Sequence, residues 1–69
     1  MWILDQTKHE VANVKNYDSI VNLQGCIRVI RSNGNVHLGV YDPERAAEVF
    51  DELLISLVKG DNLFRMPEK

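Results

Sequence analysis

The side chains that could carry chemistry are few and widely spaced in this sequence. Cys26 is the single cysteine, and His9 and His37 are the two histidines. These three residues lack the spacing of a zinc site, and no second cysteine is present for an intrachain disulfide. His9 lies near the start of a predicted strand and is interpreted as a solvated loop residue. We expect no metal and no cofactor.

Cys26 and His37 are the one pair that could act as nucleophile and base. Both fall on the same face of a predicted hairpin, but its register separates them by four residues, roughly 13 Å along the strands. That distance is too long for hydrogen-bonded activation of a thiol. The sequence therefore predicts that the chain is not an enzyme and that Cys26 is a small buried or interfacial residue.

The hairpin is predicted from Asn33-Gly34, which separates two segments rich in Ile and Val, residues 26–32 and 35–41. Asn-Gly is the strongest short hairpin signal, because a type I′ turn needs positive φ at both central positions. A two-residue loop there gives one apolar core face. Its cross-strand pairs are Arg31 with Val36, Val29 with Leu38, and Ile27 with Val40.

A long amphipathic helix is predicted to follow, with Asp42 as N-cap, Pro43 at the first helical position and Gly60 as the stop. The apolar stripe expected to pack on the sheet consists of Ala46, Ala47, Phe50, Leu53, Leu54, Leu57 and Val58. The acidic residues Glu44, Glu48, Asp51 and Glu52 are interpreted as the polar outside that any amphipathic helix needs. A mimic of a nucleic-acid backbone is the less favoured interpretation.

Three short apolar segments, at residues 2–4, 11–14 and 20–23, alternate with turn-forming residues and are predicted to be strands. The tail at residues 62–67 is apolar enough to dock beside the first strand, where Pro67 would end the pairing. We predict a single α+β domain over residues 1–69. It is a small antiparallel β-meander of about five strands (residues 2–41) with one long helix (residues 43–59) packed on one face and a docked tail.

Size and charge limit the possible partners. A chain of 69 residues buries only about 60% of the surface that its unfolded form exposes. Domains this small usually need additional stabilisation from disulfides, a metal or self-association. We expect self-association to supply this stabilisation, so that the protein is a homo-oligomer. The net charge of −2 argues against nucleic-acid binding. No apolar run reaches a membrane span, and the N-terminal segment lacks the basic region of a signal peptide, so the cytoplasm is expected.

The second face of the predicted hairpin is mixed and projects away from the helix. Arg28 and His37 can bind a carboxylate or phosphate there, and Gly39 permits close approach. A solvated surface, an oligomer interface and a ligand or protein site are all open interpretations. The predicted binding residues are Arg28, Arg31, His37 and Tyr41, and the predicted interface residues are Cys26, Ile30 and Gly39.

Four segments, in this order, resemble a group of small proteins of phages and prophages of Gram-positive bacteria. They are Met1-Trp2-Ile3, Leu38-Gly39-Val40-Tyr41, the helix segment from Glu44 to Glu52, and Phe64-Arg65-Met66-Pro67. Asp5 departs from the group, which often has an uncharged polar residue before a glutamine such as Gln6. The resemblance implies a phage accessory protein in the host cytoplasm and carries over no site residues.

Two functional hypotheses follow. The first is a non-enzymatic, self-associating interaction or inhibitor protein that binds a host protein. The alternative is an oligomeric sponge that sequesters an anionic nucleotide signal of host antiphage defence. Nucleic-acid binding is a third and less favoured hypothesis.

Overall fold

The computed structural model describes residues 1–16, 19–32 and 34–69, with Asn16 described by its backbone, and these ranges contain six strands and one α-helix. In chain order the elements are β1 (Trp2–Leu4), β2 (Val11–Asn13), β3 (Ser19–Leu23), β4 (Cys26–Arg31), β5 (Gly34–Val40), α1 (Pro43–Lys59) and β6 (Leu63–Arg65). A 3₁₀ turn at Val14–Asn16 follows β2. The α+β class and the helix bounds are confirmed.

The strands form two sheets, in the orders β2-β1-β6 and β3-β4-β5. The pairing of β1 with β6 is parallel, and the other pairings are antiparallel. Strand β6 confirms the expected docking of the tail beside the first strand, and it ends before Pro67, which has no N–H to continue the ladder. The division into two sheets refines the predicted meander.

Helix α1 and the two sheets enclose a hydrophobic core. Its buried members are Ile3, Ala12, Ile27, Val29, Leu38, Tyr41, Ala46, Val49, Leu53 and Met66. Ile27 and Val29 alternate along β4 with the half-buried Arg28 and Ile30. Because side chains alternate across a strand, the core lies on one side of sheet β3-β4-β5 and Arg28 lies on the other.

The helix packs through a stripe that matches the predicted one only in part, since Ala46 and Leu53 are buried as expected and Phe50 packs against the core. Its buried residues are Ala46, Val49, Leu53 and Ser56. Three residues that were expected in the core, Ala47, Leu54 and Val58, are exposed. The buried stripe tolerates Ser56 because its hydroxyl donates to Asp61 Oδ2 at 2.7 Å, which satisfies the polar group.

The ends of α1 lie where the sequence predicts them. Asp42 is the N-cap residue, although its side chain makes no capping hydrogen bond. Gly60 follows the last turn, and its N–H donates to the carbonyl oxygens of Ser56 and Leu57. In the described part of the chain, no helix is long and apolar enough to cross a bilayer.

The hairpin β4-β5 is present, but its predicted register is wrong. Arg31 pairs with Gly34 and Val29 pairs with Val36, so the loop lies one residue earlier than predicted. Asn33 and the expected turn residues Tyr17 and Asp18 lie outside the described residues. A two-residue turn with positive φ at both positions occurs between β3 and β4, at Gln24 (φ 52°) and Gly25 (φ 90°), as a type I′ turn requires.

A β-bulge in β5 is the second difference between the observed hairpin and the predicted one. The register shifts between Ile27 and Arg28, with Arg28 opposite His37 and Ile27 opposite Gly39. The extra residue, Leu38, is 1% exposed. A bulge inserts one residue and reverses the alternation beyond it. The residues that follow therefore exchange sides relative to the prediction.

Candidate functional site

The side of sheet β3-β4-β5 that faces away from the core is the candidate site, and we call it the open sheet face. The register places three rows of three residues on it: Ser19, Ile30 and Asn35; Val21, Arg28 and His37; and Leu23, Cys26 and Val40. Leu23 is 52% exposed and Val40 is 63% exposed. The face thus combines an apolar surface with two basic side chains in its middle row.

Arg28 is the central residue of this face. It lies between Val21 and His37 in the ladder, as predicted on the side opposite the helix. Its Nε is buried and has no hydrogen-bond partner among the described residues. The planar guanidinium carries five N–H donors in all, a geometry that matches a carboxylate or a phosphate.

Cys26 and His37 are much closer than the sequence predicted. The distance from Cys26 Sγ to His37 Nδ1 is 3.9 Å. The predicted separation is wrong because the shifted register places His37 opposite Arg28, two residues from Cys26, instead of opposite Ile30. Within residues 1–16, 19–32 and 34–69, His37 has no third group to orient its ring, which nucleophilic catalysis normally requires. The described residues also hold no cluster of three or more metal-ligating side chains.

Tyr41 and Gly39 do not lie on the open sheet face, contrary to the prediction. Tyr41 is 8% exposed and belongs to the core, and its hydroxyl donates to the carbonyl oxygen of Pro67 at 2.5 Å. Burial raises the pKa of Tyr41 above its ordinary value, and the charge of Arg45 opposes this change. Gly39 is buried beneath the tyrosine ring. The close approach that Gly39 permits is therefore internal to the chain.

The remaining predicted residues have simpler positions. Ile30 is half-buried on the open sheet face, and Arg31 is exposed at the end of β4. By alternation Arg31 lies on the core side of the sheet, at its rim, as predicted. His9 is exposed in the loop between β1 and β2, in agreement with its interpretation as a solvated residue.

The edge of β5 is covered at one end by Gln6. Its side-chain amide accepts a hydrogen bond from the N–H of Val40 at 2.8 Å and donates to the carbonyl oxygen of Val40 at 3.2 Å. The Gln6 backbone N–H donates to the Leu38 carbonyl oxygen at 2.7 Å. An edge strand with unpaired backbone groups invites uncontrolled pairing, and Gln6 closes this part of the edge.

The loop that presents Gln6 is held by Asp5. The Asp5 carboxylate accepts hydrogen bonds from Thr7 Oγ1 at 2.8 Å and from the backbone N–H groups of His9 and Glu10 at 3.0 and 3.2 Å. Burial raises the pKa of this carboxyl, but the hydrogen bonds outweigh it and the net pKa is lowered. The hydrogen bonds of the loop therefore stabilise the charged form of the Asp5 carboxylate.

The segments that carry the resemblance meet around the C-terminal tail. Ile3 pairs with Phe64 in the parallel ladder, the Tyr41 hydroxyl donates to the Pro67 carbonyl oxygen at 2.5 Å, and Arg45 Nε donates to the Lys69 carbonyl oxygen at 3.0 Å. Comparison of the chain with protein-family models, curated proteins and solved structures gave no match. The contacts give these motifs a structural role and leave the open sheet face as the candidate site.

Three apolar residues of the open sheet face were missed by sequence reasoning: Val21, Leu23 and Val40. The alternation in residues 20–23 contained the signal for the first two, once Gln24-Gly25 fixed the turn. Val40 carried no such signal because only the bulge turns it outward.

Proposed function

We propose that this chain is a non-enzymatic binding module that engages a protein partner through the open sheet face. The observation that carries the proposal is the exposure of Leu23 and Val40 beside Cys26, on a face whose core-side neighbours, such as Ile27, are fully buried. Apolar side chains grouped on one face, next to an arginine, are typical of protein interfaces.

The resemblance to small phage proteins supports the biological setting. We infer a phage or prophage accessory protein that acts in the cytoplasm of its bacterial host, where it blocks or recruits a host protein. The position of Arg28 in the middle row of the face, between Val21 and His37, supports a partner that presents a carboxylate there. Arginine in such a position is a frequent hot spot of binding.

The test is affinity capture from a lysate of a Gram-positive host with matched surface variants. Val40→Glu and Arg28→Ala alter the open sheet face, and Val11→Glu is the control, because Val11 is similarly exposed (50% against 63%) on the other sheet. We expect one discrete protein to be retained by the wild type and by Val11→Glu and lost with both face variants. Equal retention by all four proteins would refute the assignment.

The second candidate function is an oligomeric sponge for an anionic nucleotide. It is favoured by the pairing of Arg28 with His37 in the ladder, because two neighbouring basic groups can bind a phosphate. The thermal midpoint should then rise with cyclic or ADP-ribose-type nucleotides in the wild type and not in Arg28→Ala. No rise with any member of the panel would exclude this candidate.

A further inference from the structure

Helix α1 exposes an apolar surface that the core does not use. Leu54, Ile55 and Val58, which we call the helix patch, are 41%, 59% and 89% exposed. Residues separated by three or four positions lie on the same side of a helix, so the three side chains are neighbours. Together with Lys59 they line a shallow, open depression of about 250 Å³ on the helix surface. Single exposed apolar residues are normal, but a contiguous group indicates an interaction site.

The helix patch continues toward sheet β2-β1-β6. A groove of about 310 Å³ lies between α1 and β6, and Ile55 and Leu63 both line it. Leu63 is 42% exposed and pairs with Trp2, which is 48% exposed. Ile55 and Leu63 therefore contribute apolar side chains to a groove whose other lining residues are mostly polar or charged, among them Lys59 and Asp61.

The charges around the helix patch are arranged so that the surface complements itself. Asp51 and Glu52 lie one turn before Ile55, and Lys59 lies one turn after it. Lys59 forms no ion pair with any described residue. Glu52 forms a long ion pair with Arg45, at 3.8 Å. In a two-fold symmetric dimer, if a residue of one subunit contacts a second residue of the other subunit, the reciprocal contact forms as well. Antiparallel helices related by an axis near Ile55 would therefore bring acidic residues of each copy to Lys59 of the partner subunit.

We propose that a second copy of this chain docks on the helix patch, with the two α1 helices antiparallel. The mixed signs of Glu52 and Lys59 favour a second copy over a strongly acidic or strongly basic partner, which would meet a like charge at one end of the patch. Dimerisation also supplies the buried surface that a chain of 69 residues needs when it has no intrachain disulfide.

This inference is independent of the function proposed for the open sheet face. The helix patch lies on the side of α1 away from the core, whereas the open sheet face lies on the far side of sheet β3-β4-β5. The dimer therefore presents two open sheet faces at once. Such bivalence raises the avidity for a partner that is itself oligomeric.

Sedimentation velocity or light scattering over a concentration series tests the proposal. We expect the wild type at twice the 7.9 kDa chain mass. Val58→Glu, at an 89% exposed position, should raise the dimer Kd by at least about tenfold, because it introduces one charge from each subunit into an apolar contact. Leu23→Glu, the matched control on the open sheet face, should remain dimeric. Circular dichroism and the thermal midpoint establish that each variant is folded.

Charge reversal tests the antiparallel geometry. Glu52→Lys or Lys59→Glu alone should weaken the dimer, and the double variant should recover at least about tenfold of the lost affinity by restoring opposite charges across the axis. A monomeric wild type at millimolar concentration would overturn the proposal, as would a dimer that Leu23→Glu disrupts and Val58→Glu does not. A double variant no tighter than the single ones would overturn the two-fold pairing.

Discussion

The substitution Gly39→Ala tests the packing that holds Tyr41 in the core. A Cβ at position 39 would lie 2.8 Å from Cε2 and 2.9 Å from the hydroxyl oxygen of Tyr41. The ring has little room to retreat because its hydroxyl is bonded to the carbonyl oxygen of Pro67 at 2.5 Å. Overpacking of this kind costs about 1–3 kcal/mol, a large share of the stability expected for a chain of this length, roughly 3–10 kcal/mol.

Urea denaturation followed by circular dichroism measures the cost, and a double-mutant cycle assigns it to the ring. Leucine at position 41 lacks the Cε2, Cζ and hydroxyl atoms that the new Cβ would meet. In the Tyr41→Leu background, Gly39→Ala should therefore lower the free energy of unfolding by less than about 0.5 kcal/mol. The coupling energy between the two sites should then be at least about 1 kcal/mol. An equal cost in both backgrounds would show that the backbone, and not the ring, requires glycine, and would refute the reasoning.

The remaining predictions concern the contacts that hold the N-terminal loop and the tail. Tyr41→Phe should lower the free energy of unfolding by about 1 kcal/mol, because the Pro67 carbonyl loses its donor. Gln6→Ala should raise hydrogen exchange at the Val40 amide, measured by NMR, because that N–H loses its acceptor. The folded-state pKa of Asp5 lies below 3.8, so its contribution is complete above about pH 4 to 5 and is lost as the pH falls through the folded pKa. Asp5→Asn should cost about 2 kcal/mol at pH 7, and the difference from the wild type, measured by thermal melts, should shrink toward pH 2; a constant difference would contradict the lowered pKa.

The helix and its ends could be predicted because local signals agree there. Asp42-Pro43 and Gly60 define the boundaries by backbone chemistry that needs no partner. The buried stripe could not be predicted, because Leu54 and Val58 fit a helical period as well as Val49 and Ser56 do. The rotation is decided by the sheets that the helix meets, and this is a tertiary effect.

The hairpin shows where sequence reasoning reaches its limit at the site. The Ile and Val segments around Asn33-Gly34 correctly predicted two paired strands and the outward position of Arg28. The register and the bulge depend on cross-strand packing, and a bulge has no reliable sequence signal. That single extra residue in β5 turned Val40 outward and buried Tyr41, whereas the shifted register before the bulge brought His37 to 3.9 Å from Cys26.

The central claim is that the open sheet face binds a partner, and site-specific photocrosslinking in cells tests it most directly. A photoreactive phenylalanine analogue replaces Val40 on that face in one protein and Val11 on the other sheet in a second. Both sites are at least half exposed, so incorporation should leave the fold intact. The account predicts a discrete adduct with a host protein from position 40 and none from position 11. Identical adduct patterns from the two positions, or adducts only with a second copy of the chain, would contradict it.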